Sequence, residues 1–218
     1  MAKMKIEFKK NILLFVPLFF VVLMWILQIA QTLFHFSLIT LGIYPRQIFG
    51  LPGIIFAPLI HANFNHLMSN TLPLLFLGTG VFYLYRTSSV KIVLLIYFLT
   101  NILVWFFARP AYIIGASGLV YGFASFLFFG GVIRRDTRSV ALALIVVFLY
   151  GGMIIGIFPL DYHIAWEAHL LGGIVGLIIA IVFRKSDKQK RYDWEDEEED
   201  DENQEKPEIS YKKGYPFN

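Results

Sequence analysis

Long apolar runs, separated by short polar or Gly/Pro-rich joints, make up most of the chain. A helix crosses a bilayer with about 20 predominantly apolar residues, within a range of roughly 17 to 25. Six runs meet that length, at about 11–34, 66–85, 90–108, 117–133, 140–158 and 165–183. The pattern predicts an all-α polytopic membrane protein of six transmembrane helices, and an even number of crossings puts both termini on one side. The first run follows Lys3, Lys5, Lys9 and Lys10 and so opens like a signal peptide. It is long and has no small-residue cleavage site, which makes it a retained span.

The joint at 35–65 is of a different kind. Pro45, Pro52, Pro58, Gly42, Gly50 and Gly53 forbid one regular helix. Ile43, Ile48, Phe49, Leu51, Ile54, Ile55, Phe56, Leu59 and Ile60 keep the joint apolar, so it belongs in the membrane interface or against the bundle. Tyr44 and Phe49 suit that boundary. The chain thus divides into a short N-terminal segment (1–10), a helical domain (11–183) that includes this loop, and a charged tail (184–218).

Composition agrees with the pattern: 57% of the 218 residues are hydrophobic and 16% charged, with mean hydropathy +0.63. Cysteine is absent, which excludes disulfides and thiolate metal sites. A net charge of +3 gives no basis for nucleic-acid binding. The placement of charge says more. Lys9, Lys10, Arg86, Lys91, Arg134, Arg135, Arg138 and the basic residues from Arg184 to Arg191 fall on one side of the six runs, against Arg46 and Arg109 on the other. The positive-inside rule makes the first side, with both termini, cytoplasmic. In the tail, Arg184, Lys185, Lys188, Lys190 and Arg191 form an anchor for anionic headgroups. The acidic run from Asp193 to Glu205 reads as solvated and disordered.

With that orientation, three polar patches share one depth near the outer face: His61 to Asn70, Ser117 and His169. Strongly polar side chains inside a span are costly and mark function by default, although a single His or Asn also bonds across helices. Asn101 has no visible partner set and takes that second reading. Gly115-Ala116-Ser117-Gly118 opens the fourth run. Flanking glycines serve close helix packing as readily as catalysis. Serine becomes a nucleophile when a base takes its proton, and histidine is the usual base. Gly118 and Gly122 on one run, and Gly172 and Gly176 on another, are each four apart, so the two backbones can approach closely. His169 lies over that same face and can reach Ser117. Asp161 and Glu167 are the nearest carboxylates and read as solvated loop charges, so no triad acid is at hand. Tyr121 shares Ser117's face, where it either stacks on the base or simply packs. The Ser117 N–H at a helix start is one oxyanion donor, and His66 and Asn70, four apart on one face, can supply others.

Gly115-Ala116-Ser117-Gly118, His66-x-x-x-Asn70 and Ala168-His169-x-x-Gly172-x-x-x-Gly176 resemble the three signatures of the rhomboid intramembrane serine proteases. Order, spacing and six-run topology agree over about 11–183. The resemblance implies a Ser117–His169 dyad and an oxyanion hole of His66, Asn70 and the Ser117 N–H. It implies that Gly115 shapes the turn before the serine and that Gly118 belongs to the motif. Tyr121 matches the family tyrosine stacked on the catalytic histidine, and His61 a structural histidine before the second span. It further implies transmembrane protein substrates, lateral access between the second and fifth spans, small residues before the cut, and no cofactor or metal. The Trp-Arg pair that many members carry in the first outer loop is missing between His35 and Asn65, so that loop's detailed fold is not implied. A short chain without a transit-like leader fits a bacterial inner membrane, with the site open to the extracytoplasmic side.

Two other classes share part of the pattern. A catalytically silent relative that binds membrane proteins for quality control typically lacks the serine or the histidine, and both are present. A small transporter using His66, Asn70 and His169 as a polar pathway predicts inverted repeats, which the sequence does not show.

Overall fold

The structure, a computed structural model, describes residues 15–161 and 164–187. The N-terminal segment 1–10, the start of the first run (11–14), and the tail from 188 onward with its acidic stretch lie outside the described residues. Six long helices carry the fold: α1 Val16–Leu33, α2 Phe64–Leu84, α3 Ser89–Phe107, α4 Ser117–Arg134, α5 Thr137–Tyr150 and α6 Trp166–Val182. Among the described residues the structure is all-helical apart from connections and one isolated β-bridge. Local chemistry sets several boundaries. Pro17 stands in the first turn of α1, where its missing N–H costs nothing. Asn63 and Asp136 cap α2 and α5 through the N–H groups of His66 (2.8 Å) and Ser139 (3.1 Å).

Among the described residues, five helices have the length and apolarity to cross a membrane, counting α5 together with its extension to Ile157. At 17 residues, α6 is about 26 Å long, close to the lower limit for a span. The fifth run differs from its expected form. It leaves α-geometry at Gly151 and continues as a 3₁₀ segment over Gly151–Ile157. Gly151, Gly152 and Gly156 lower helix propensity there.

α4 is the centre of the bundle. Leu119, Val120, Phe123, Phe126 and Leu127 are buried on it, and its Gly118 and Gly122 face α6. A methyl on Gly172 would strike the Gly118 carbonyl, and one on Gly176 the Gly122 carbonyl, so backbone meets backbone along this seam. α5 is peripheral: 11% of its span is buried, against 56% for α2. Its exposed Leu144, Val147 and Phe148 are suited to lipid.

The 35–63 connection winds through 3₁₀ turns at Ile39–Leu41, Ile48–Gly50 and Ala57–Leu59 and a one-turn helix at Gly53–Phe56. It is bonded to the bundle along its length. Arg46 covers the C-terminal end of α3: its N–H donates to the Trp105 carbonyl (2.9 Å), and Nη1 to those of Ala108 (2.7 Å) and Phe106 (3.2 Å). A cation at those carbonyls complements the helix dipole. Asn101 does have a partner: its Nδ2 donates to the Ile54 carbonyl at 3.0 Å. Sequence spacing hides this contact because the acceptor is a backbone atom 47 residues away. On the opposite end of the bundle, the Asp187 carboxylate accepts the N–H groups of Thr87 (2.8 Å) and Ser88 (3.1 Å), and Arg134 Nη2 donates to the Asp187 carbonyl (3.1 Å). Asp187, five residues past the end of α6, thereby ties the ends of α2, α3 and α4 together.

Candidate active site

The site begins with the turn before α4. Gly115 has φ +102°, a conformation that L side chains rarely adopt. A methyl there would also stand 2.7 Å from His66 Cε1 and Nε2, so the imidazole of His66 lies directly against the turn. The first outer loop holds the same turn. Ile43 and Ile113 exchange both backbone hydrogen bonds (2.9 and 2.8 Å), and the Gly115 N–H donates to the Ala57 carbonyl at 2.9 Å. The Ala116 N–H points to His61 Nε2 at 3.5 Å.

His61 is buried, 2% exposed, with its ring edge-on to that of His66 at 4.9 Å between centroids. Burial, aided by the neighbouring His66 and opposed by the Leu59 carbonyl, pushes its pKa down to about 3. A neutral ring with its proton on Nδ1 leaves the Nε2 lone pair for Ala116. Nδ1 itself has no hydrogen bond of good geometry among the described residues.

Ser117 is the first residue of α4, with Ala116 as N-cap and no side-chain cap, so its N–H is one of the unpaired donors of a helix start. His169 lies in the first turns of α6, buried at 8% exposure. Its Nε2 is 2.8 Å from Ser117 Oγ and its Nδ1 2.8 Å from the Gly156 carbonyl. A carbonyl oxygen only accepts, so Nδ1 carries the proton and Nε2 presents a lone pair to the serine hydroxyl. The tautomer follows from the hydrogen-bond network.

The Tyr121 ring is parallel to the imidazole (5° between planes, 4.2 Å between centroids), and its hydroxyl donates to the Met153 carbonyl at 2.6 Å. Both outer partners thus come from the 3₁₀ segment after α5. A methyl on Gly156 would meet Tyr121 Oη and stand 3.2 Å from His169 Nδ1. Gly156 and Met153 escaped sequence reasoning because they act through backbone carbonyls. The glycines at 151, 152 and 156 were the available sign of a break at that depth.

Asn70 is buried at 3% exposure, on α2 one turn below His66, and its Nδ2 donates to the His66 carbonyl at 2.8 Å. The amide nitrogen has two protons, so one remains for another acceptor. Gly118 lies against Ala168 of α6, where a methyl would be 3.2 Å from the Ala168 carbonyl. Glu167 corrects an expectation. It is 7% exposed and paired with Arg109 (Nε–Oε1 3.5 Å), because the start of α6 packs beneath the α3–α4 connection instead of standing in water. It does not bond His169, whose Nδ1 partner is a carbonyl. Among the described residues, no group of three or more His, Asp or Glu side chains is placed to hold a metal ion.

Comparison with known proteins adds a family match. The model of the Rhomboid domain matches residues 46–186. Uncharacterized proteins of Mycobacterium bovis and Mycobacterium tuberculosis are each 33% identical over 181 residues, covering 79% of this chain and 75% of theirs. One from Mycobacterium leprae is 30% identical over 182 residues, covering 79% of this chain and 72% of its own.

Proposed function

The chain belongs to the rhomboid family, a family of intramembrane proteases, and on that premise we propose that it is a serine endopeptidase that cuts transmembrane substrates through a Ser117–His169 dyad. The observation that carries this reading is the position of His169 between Ser117 Oγ and the Gly156 carbonyl, at 2.8 Å from each. That arrangement presents the base in the tautomer that attack requires.

The chemistry follows from it. Ser117 Oγ attacks the carbonyl carbon of the scissile peptide while its proton passes to His169 Nε2. The imidazolium so formed keeps its Nδ1–H on Gly156 and its face on Tyr121, a cation–π contact in place of a carboxylate. The negative charge on the former carbonyl oxygen is met by the Ser117 N–H, the second amide proton of Asn70 and the His66 imidazole. Collapse breaks the C–N bond, His169 returns its proton to the leaving amine, and water repeats the cycle on the acyl-serine. The first outer loop, through Ala57, His61 and Ile43, holds the backbone that aims the Ser117 N–H. A peptide bond inside a helix is shielded, so substrate segments with helix-breaking residues are cut faster.

Cleavage of a test transmembrane substrate in liposomes checks the assignment. Ser117→Ala and His169→Ala each lower turnover by about 10³-fold or more. Cleavage that survives in Ser117→Ala refutes the nucleophile, and an uncleaved substrate with wild-type protein favours a binding role. The distribution of basic residues in the loops supports a site on the extracytoplasmic side. Since the chain has no cysteine, a single one engineered in the 35–63 loop should react with an impermeant maleimide added outside intact cells. Reaction only after lysis reverses the orientation.

A further inference from the structure

The first turn of α6 carries His169 and is weakly held from within. Its N-cap, Ala165, makes no side-chain cap, and the Ala165 carbonyl takes the Ala168 N–H at 3.0 Å and the His169 N–H only at 3.4 Å, long for a helical bond. The stronger hold comes from outside, through Arg109. Its Nη2 donates to the Ile164 carbonyl at 2.7 Å, and its Nε lies 3.5 Å from Glu167 Oε1. The same carboxylate oxygen accepts the Arg109 backbone N–H at 3.3 Å. Glu167 is buried, and its Oε2 has no hydrogen-bond partner among the described residues. A buried carboxylate is costly to desolvate, and an apolar side chain would serve packing alone at lower cost.

Arg109 belongs to the connection that ends in the Gly115–Ala116 turn and Ser117. The glycine seam sets how closely α4 and α6 lie at Gly118/Gly172 and Gly122/Gly176, below the first turn of α6. Above the seam, one arginine joins the start of the helix that bears His169 to the segment that bears Ser117. We propose that Arg109 and Glu167 are a positioning pair, setting where His169 Nε2 stands relative to Ser117 Oγ. The proposal rests on the reading of those two residues as base and nucleophile. Glu167 precedes His169 by two residues and leaves α6 on nearly the opposite side, so it acts through the backbone of the turn and touches neither substrate nor serine.

The test uses full-length protein in liposomes. It reads kcat and KM for a test transmembrane substrate and the rate at which a fluorophosphonate labels Ser117, below the melting temperature of every variant. Glu167→Ala lowers kcat and labelling about tenfold, with KM within about twofold of wild type. Glu167→Gln keeps an acceptor oxygen for Arg109 and restores both rates to within about threefold of wild type. The Arg109→Ala/Glu167→Ala double variant loses less than the combined losses of Arg109→Ala and Glu167→Ala, since the two side chains share one contact. Wild-type labelling in Glu167→Ala overturns the pair, as does equal loss in the Ala and Gln variants, loss confined to KM, or additive loss in the double variant. A wild-type protein that neither cleaves nor is labelled refutes the dyad instead.

Discussion

His169 bonds two oxygens of different kinds, and the difference defines its state. Because the Gly156 carbonyl can only accept, the proton is fixed on Nδ1 and the lone pair on Nε2 faces Ser117. Gly156 is therefore as constrained as Ser117 and His169: a methyl there displaces Tyr121 or the imidazole. Gly156→Ala should reduce kcat about 10- to 100-fold, the range expected when a reacting group is misplaced by about 1 Å. Gly152→Ala, where a methyl meets nothing within 4 Å, should leave kcat near wild type in the same assay. Equal rates for the two variants would separate the Gly156 carbonyl from the base. At this scale, side chains were legible in the sequence and backbone partners were not. Ser117, His169 and Tyr121 announce themselves by type and spacing, whereas any residue can offer the carbonyl that holds a histidine.

Among the elements, the first outer loop does more than its apolar residues imply. They suggested a loop in the membrane interface or against the bundle; it lies against the bundle and also holds the turn before Ser117 by backbone hydrogen bonds and His61. The role of His61 gives a pH signature. Its folded pKa is about 3, lowered by burial, while an unfolded histidine titrates near 6.5. Above about 6.5 both states are neutral there and the contribution to stability is complete. As pH falls toward 3, the unfolded state takes up a proton that the folded state refuses, and stability falls by at most about 1.4 kcal/mol per pH unit. His61→Gln retains an acceptor for Ala116 and should show a shallower loss of unfolding free energy between pH 6.5 and 4.5. Identical slopes would mean that the native ring is not held neutral. The helices themselves were readable from apolar run lengths. Two features were less so: the 3₁₀ break in the fifth run, signalled only by Gly151, Gly152 and Gly156, and the burial of Glu167, which depends on Arg109 arriving from another loop.

For the molecule as a whole, depth organises the chemistry. In the proposed orientation, with the basic loops cytoplasmic, His66, Asn70, Ser117 and His169, drawn from α2, α4 and α6, lie at one level. The glycine seam then lets α4 and α6 approach until an imidazole spans the gap. Both steps are visible in the sequence because they depend on composition and periodicity. The tertiary hydrogen bonds that hold loop to turn are not, since they join backbone atoms far apart in the chain. The most direct test of the central claim is peptide-level mass spectrometry after fluorophosphonate treatment of the reconstituted protein and of His169→Ala. A covalent adduct on Ser117 in wild type, at least about 10²-fold slower to form in His169→Ala, is the predicted result. An adduct on another residue, or equal labelling of Ser117 without the histidine, would contradict the dyad.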